Sequence, residues 1–280
     1  MYRLQWGLWR LDLSARTHVM GVLNVTPDSF SDGGRYLRPA RALAHAEAMA
    51  EAGADVIDVG GESTRPGAPP VSLDEELRRV IPVIEKVAAR CRLPISIDTS
   101  KAEVARRAIE SGAAMINDVT ALRGDPAMAG VAAQAGVPVV LMHMRGTPAT
   151  MQRRPRYRAL MDELIRFFRG RIAAAVAAGI DRQRLLIDPG IGFGKTLAHN
   201  LEILRRLDLL APLNLPILVG PSRKSFVGVL TGQPVGRRAE GTAAAVTAAV
   251  LHGAHMVRVH DVAEMVRVVR VADAIKRGGM

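Results

Sequence analysis

The chain has 280 residues, 49% hydrophobic and only 4% aromatic, with 38 Lys+Arg against 27 Asp+Glu for a formal net charge of +11. That length allows one large domain or two small ones, with a core drawn mainly from Ala, Val, Leu and Ile. The single Cys91 excludes an internal disulfide framework, no apolar run reaches the roughly 18 residues of a membrane span, and the first ten residues lack the apolar centre of a signal peptide; together these predict a cytoplasmic protein.

Residues 2–13 alternate around Trp6, Gly7 and Trp9, which predicts a β-hairpin within 1–16, placed over one end of the main fold. One phrase then recurs: a helix end, a glycine and a short β-branched run closing on a polar residue. It runs from Gly53 to Asp58, Gly112 to Asp118, Gly136 to His143, Gly179 to Asp188 and Gly253 to His260. The glycine suits the left-handed position that ends a helix. With strands at 19–23, 95–98 and 217–219, eight strands are predicted. Helix-period segments lie between and after them, at 38–51, 73–90, 101–110, 126–134, 156–178, 197–207, 240–251 and 262–276. Eight such units predict a (β/α)8 TIM barrel rather than a doubly wound open sheet. No linker or low-complexity stretch divides the chain, so residues 1–280 are read as a single domain.

The stretch 216–226 organises the candidate chemistry. Ile217, Leu218 and Val219 are too continuously apolar for a strand with one wet face, and fit a parallel strand covered on both sides. A Gly220-Pro221 turn follows, then a helix start with Ser222 as its expected N-cap and Arg223 and Lys224 adding charge at an anion-binding mouth. The only lysines are Lys86, Lys101, Lys195, Lys224 and Lys276. Arginine is therefore the default surface cation, and a lysine at a strand–helix junction stands out.

Barrel chemistry sits at the C-terminal ends of the strands. Those ends carry Asn24, Asp58, Asp98, Asn117 with Asp118, His143, Asp188, Ser222 to Lys224, and Arg258 with His260. Asp118 and Asp261 suit helix caps. Asp98 shares a strand face with Ser96, opposite Ile95 and Ile97, and is expected to face the barrel axis. Gly/Pro-containing loops follow at 24–34, 60–67 and 188–196, and such loops commonly carry binding and gating. The third resembles a phosphate loop, but Gly-Phe-Gly-Lys-Thr lacks the first glycine of a Walker A motif. His143 and His260 lie on separate strands and Cys91 precedes one, so no zinc cluster is expected, and no Ser-His-Asp nucleophile elbow is present. The arginines are scattered over helix-period segments, as at Arg78-Arg79 and Arg205-Arg206, so nucleic acid is not an expected partner. What remains is a set of carboxylates and amides suited to a flat heterocycle with N–H donors and carbonyl acceptors. Above them Arg65, Arg223, Lys224, Arg258 and His260 suit a phosphate or pyrophosphate.

On these residues the chain resembles the dihydropteroate synthases. The matching stretches are 21–34 (GVLNVTPDSFSDGG), 58–67 (DVGGESTRPG), 96–101 (SIDTSK), 116–119 (INDV), 141–151 (LMHMRGTPATM), 188–195 (DPGIGFGK), 220–228 (GPSRKSFVG) and 258–262 (RVHDV). The resemblance implies a pterin-binding barrel that condenses 6-hydroxymethyl-7,8-dihydropterin pyrophosphate with 4-aminobenzoate and releases pyrophosphate. It implies that Asp98, Asn117, Asp188 and Lys224 hydrogen-bond the pterin, with Met142 and Phe193 beside it. Asn24 with Mg²⁺, and Arg65, Arg258 and His260, would hold the pyrophosphate. Thr64, Pro66 and Ser225 would form the aminobenzoate pocket, where sulfonamides compete. Phe30 and Asp32 would lie on a loop that closes over the site. Asp98, Asp188, Lys224, Asp32 and Phe30 are the expected catalytic set, and a homodimer the expected assembly. The other enzyme reading, a pterin-dependent methyltransferase using methyltetrahydrofolate, needs the deep Asp and Asn but not the cations.

Overall fold

In the computed structural model, which describes residues 2–26 and 38–278, the recurring glycine-to-strand phrase becomes a barrel. A hairpin of β1 (Arg3–Trp6) and β2 (Trp9–Asp12) comes first. The barrel strands are β3 (His18–Asn24), β4 (Val56–Gly60), β5 (Ile95–Asp98), β6 (Met115–Asp118), β7 (Val139–Met142), β8 (Leu185–Asp188), β9 (Leu218–Val219) and β10 (Met256–Val259). They run parallel in the order β8-β7-β6-β5-β4-β3-β10-β9, and a parallel bridge between Ile187 and Ile217 joins the two ends. Around them lie α1 (Arg38–Glu51), α2 (Leu73–Arg90), α3 (Ala102–Glu110), α4 (Met128–Ala135), α5 (Leu160–Ala177), α6 (Leu197–Arg205), α7 (Ser225–Thr231), α8 (Ala239–Leu251) and α9 (Val262–Arg277).

The strands are almost wholly buried, as a sheet covered by helices outside and packed side chains inside must be. The hairpin buries Leu4, Trp6 and Leu11, and Tyr2 packs edge-on against His255 just before β10. It therefore closes the barrel end where the strands begin, leaving the opposite end for chemistry.

Most elements fall within two residues of the expected ranges, and two features differ from the sequence expectation for local reasons. The helix expected at 156–178 starts at Leu160, because the Glu163 carboxylate accepts the backbone N–H groups of Arg158 and Ala159 and caps the chain there. The helix start expected after Gly220-Pro221 is a short helix of its own, α7, ahead of α8. Ser222 is not its N-cap: that position is held by Lys224, without a side-chain cap, and the Ser222 hydroxyl is engaged by His260 instead.

Candidate active site

Strand register builds the site. Asn24 on β3 pairs with Gly60 on β4, Gly60 with Asp98 on β5, and Asp98 with Asn117 on β6. Residues paired across parallel strands point to the same face, so Asn24, Asp98 and Asn117 form one inward row, with Gly60 leaving a gap in it. One tier deeper, Val22, Asp58 and Ser96 are in register. On the far side Met142 pairs with Asp188.

A single pocket collects Asp98, Asn117, Met142, Asp188, Phe193 and Lys224, together with Thr64 and Arg258. All were singled out from the sequence, and they come from strand ends or the loops that follow. Asn24 and His260 are partly buried nearby at the ends of β3 and β10, whereas Arg65, Pro66 and Ser225 are exposed. Phe30 and Asp32 lie outside the described residues.

The loop after β8 is shaped by its glycines and by a lysine. Gly190 adopts φ +70°, and a Cβ there would sit 2.0 Å from the His143 carbonyl oxygen, so any side chain would push the loop off the barrel. Its N–H donates to Asp188 Oδ1 at 2.7 Å. Below it the buried Lys195 ammonium donates to the carbonyls of Phe193 (3.0 Å) and His143 (3.4 Å) and contacts His143 Nδ1 at 3.0 Å. Burial pushes Lys195 down to about 7 and holds His143 well below its ordinary value, so His143 is a neutral acceptor. This lysine supports the loop that presents Phe193, which packs with Val119, Met142, Met144 and Met151. Lys224 Nζ stands over the Phe193 ring, 4.2 Å from its centre.

The ionisable groups compensate one another. Arg258 reaches from β10 past β3, donating through Nε to Asp58 Oδ2 (2.6 Å) and through Nη2 to Asp98 Oδ2 (2.8 Å). Asp58 also accepts from Asn117 Nδ2 at 3.1 Å, and its Oδ1 is buried without a partner. Burial pushes Asp98 up to about 7, against the pull of Arg258 and with help from the neighbouring Asp58 charge. Asp188 is pushed up to about 6 by burial, opposed by the Gly190 N–H and by Lys224. Lys224 is pushed down to about 8 by burial and by Arg258. Burial alone would lower Arg258; the Asp58 and Asp98 carboxylates instead hold it above its ordinary value.

The cations divide differently from the sequence expectation. Arg223, read as part of the anion mouth, sits at φ +57° and forms a bidentate pair with Asp261. Asp261 therefore neutralises Arg223 rather than capping α9, where it makes no side-chain cap bond. Asp118 does organise the turn after β6, accepting from the N–H groups of Thr120 and Leu122. His260 contacts Ser222 Oγ through Nδ1 (3.1 Å), and burial with Arg258, Arg223 and Lys224 around it lowers it to about 3. It is a neutral hydrogen-bonding group at pH 7, not a cation. Arg65 forms no salt bridge among the described residues. Sequence reasoning placed Asp58 at a strand end, whereas it lies two residues inside β4, and gave neither it nor Lys195 an individual role; the signal was present in Asp58 as an acid in an apolar strand, and in Lys195 as one of five lysines.

For a metal, the described residues offer no group of three or more His, Cys, Asp or Glu placed to hold an ion. Asn24 contributes one carboxamide oxygen, on the same side of the Gly60 backbone as the Asp98 carboxylate. That donor set fits a hard cation only as a partial shell, completed by oxygens brought with a ligand.

The profile of the family described as "Pterin binding enzyme" matches residues 20–260. The dihydropteroate synthase of Escherichia coli K12 is 52% identical over 264 residues, covering 94% of this chain and 93% of that protein. The solved Yersinia pestis dihydropteroate synthase, a sulfonamide drug complex, superposes with TM-score 0.93 at 49% identity, covering 98% of this chain and 99% of that one. The Xanthomonas albilineans dihydropteroate synthase with 4-aminobenzoic acid gives TM-score 0.90 at 50% identity, with 95% of each chain covered.

Proposed function

The chain belongs to the pterin-binding enzymes and, among them, to the dihydropteroate synthases, a transferase family; we propose on that premise how its site divides the reaction. The observation that carries the assignment is the one pocket in which Asp98, Asn117, Asp188 and Lys224 converge from four strand ends. A pterin ring presents N–H donors to the two carboxylates and acceptors to the amide and ammonium. Phe193 and Met142 cover its faces.

The reaction joins the pterin CH₂ to the aromatic amine of 4-aminobenzoate, and the C–O bond to the pyrophosphate breaks. A dissociative course suits this pocket. The ring delocalises the cation left when pyrophosphate departs, and the buried Asp98 and Asp188 favour that positive charge. Before substrate enters, Arg258 is held by Asp58 and Asp98. When a pterin N–H takes Asp98, the Nη2 side of Arg258 is released toward the leaving group while Nε stays on Asp58. Neutral His260 donates a hydrogen bond to the same oxyanion, and Arg65 adds full charge from the second loop. The aromatic amine is nucleophilic without a strong general base; its proton leaves after C–N bond formation. Asn24 would help hold Mg²⁺, which when bound supplies charge neutralisation to the departing pyrophosphate. Thr64, Pro66 and Ser225 stand for the aminobenzoate side, with Thr64 already at the pocket wall.

The same reading takes the enzyme as a cytoplasmic homodimer. Support for a second copy is the apolar surface on two helices that each pack against α8: Val229 and Leu230 on α7, Val271 and Ile275 on α9, all more than half exposed. No described helix is long and apolar enough to cross a membrane.

The test is pyrophosphate release. The chain should release it only when given both the pterin pyrophosphate and 4-aminobenzoate, with dihydropteroate formed in equal amount. Methyl transfer from methyltetrahydrofolate with no pyrophosphate released would replace this reading by the other pterin chemistry.

A further inference from the structure

The chain uses lysine sparingly, and the synthase reading employs only Lys224. We propose that Lys101 is a positioning residue, the latch that sets the second loop so that Thr64 and Arg65 meet the pocket floored by Asp98. What the loop does once set rests on the synthase reading; that Lys101 sets it does not.

Lys101 lies three residues beyond Asp98, at the extended position that opens α3, and caps nothing with its side chain. Its Nζ instead stands 2.5 Å from Glu62 Oε2 and 2.5 Å from Glu76 Oε2. Each carboxylate has a second engagement. The other oxygen of Glu76, a residue with no exposed surface, accepts from Thr99 Oγ1 at 2.7 Å. The other oxygen of Glu62 accepts the Val71 N–H at 3.2 Å. Glu62 opens the loop and Val71 ends it, so one carboxylate clips entry to exit, and Lys101 ties that clip to the strand that carries Asp98.

The loop entry has no other freedom. The Gly61 carbonyl accepts from Arg79 Nη1 at 2.8 Å, and a Cβ on Gly61 would fall 2.7 Å from Val80 Cγ1. Past Glu62 the constraint is slight. Apart from turns within the loop, the backbone bond given to this stretch is Gly67 N–H to the Pro148 carbonyl, at 3.2 Å. Thr64 and Arg65 therefore point where the clip directs them. A bland alternative is that Lys101 merely neutralises the buried Glu76, for which an unpaired charge would be costly. That accounts for one of its two bonds and not for Glu62, which is partly exposed and could be solvated.

The two roles separate in the variants. Glu62→Gln keeps the Lys101–Glu76 pair and weakens the clip. It should raise KM for 4-aminobenzoate about tenfold, the loss of one charge-assisted hydrogen bond, while the Kd of a pterin that lacks the pyrophosphate, and so does not meet Arg65, stays within about twofold. Lys101→Met combined with Glu76→Gln removes both charges of the buried pair, leaves Glu62 unlatched and should show the same split. In both, amide hydrogen exchange across residues 63–71 should quicken against the wild type while that of α3 does not. An unchanged KM for aminobenzoate with unchanged exchange overturns the latch. So does an equal loss for aminobenzoate and for the pterin that lacks the pyrophosphate, with a lowered melting temperature, the mark of a structural pair. If the wild type releases no pyrophosphate, the synthase reading fails, and the exchange comparison alone decides whether Lys101 sets the loop.

Discussion

Replacing Asp98 by asparagine should move binding and stability in opposite directions. Asp98 is 8% exposed, pairs with Arg258 at 2.8 Å and neighbours the fully buried Asp58. As a carboxylate it offers the pterin a charged acceptor, and losing such a hydrogen bond costs about 1.5–3 kcal/mol, or roughly 10- to 150-fold in Kd. Stability follows from the proton. Burial raises the folded carboxyl from 3.8 to about 7, so the folded state binds this proton more tightly than the unfolded state. That contribution is fully present below pH 3.8 and lost as pH rises through about 7. At about pH 8 the wild type thus carries a buried carboxylate beside that of Asp58, while the Asp98→Asn side chain would be uncharged and could still accept from Arg258. The variant should melt no lower than the wild type at about pH 8, and its stability should change less between about pH 5 and pH 8. Calorimetric titration with a pterin ligand and thermal unfolding at both pH values measure the two effects. Unchanged pterin affinity, or a collapsed transition at the higher pH, would show that Asp98 serves the fold rather than the ligand.

Chelation with EDTA should slow pyrophosphate release without shifting the melting temperature, because the described residues hold no metal cluster and Asn24 alone is too weak a ligand; an untouched rate refutes the role given to Mg²⁺. Affinity for the pterin pyrophosphate should fall as pH rises through about 8, where Lys224, held down by burial and Arg258, loses its charge. Lys224→Arg should flatten that fall in a binding titration, and a flat wild-type curve would remove Lys224 from the charge balance. Aminobenzoate should bind poorly to the free enzyme and better with Mg²⁺-pyrophosphate present, since the exposed Arg65 lacks a salt bridge among the described residues until that anion arrives. The reciprocal coupling should be about 1–3 kcal/mol, abolished by Arg65→Ala; equal affinity in both conditions would mean a preformed pocket.

The barrel was legible because its signals are local and repeated: a glycine after most helices, then a strand apolar on both faces. Asp98, Asn117 and Asp188 were legible for the complementary reason. A polar residue closing a buried strand has few places to go except the barrel mouth. What the sequence could not show is pairing at long range. Nothing near Arg223 indicates that it takes a left-handed conformation and turns to Asp261, 38 residues on. Nothing near Arg258 shows that it folds inward to Asp58 and Asp98 rather than standing at the rim. Ser222 has the composition of an N-cap, yet the helix begins after Lys224, and the serine is taken by His260.

Those long-range pairs carry the chemical meaning of the site. Asp58, Asp98 and Asp188 lie within the same small volume as Arg258, Lys224 and Lys195, so the pocket is close to electrically balanced by its own side chains. Buried ion sets of this kind contribute little net stability, because desolvation offsets the attraction, and an apolar floor of equal volume would hold the barrel as well. The set has a different consequence. Arg258 already faces carboxylates and Asp98 already faces a cation, so binding there exchanges one partner for another instead of stripping water from bare charges. Arg258 is the hinge of that exchange. Its Nε bond to Asp58, whose second oxygen is unpartnered, can persist while Asp98 passes to the ring. The pocket therefore meets a substrate of mixed charge with little reorganisation, which is the condition for stabilising charge that develops only when the C–O bond breaks.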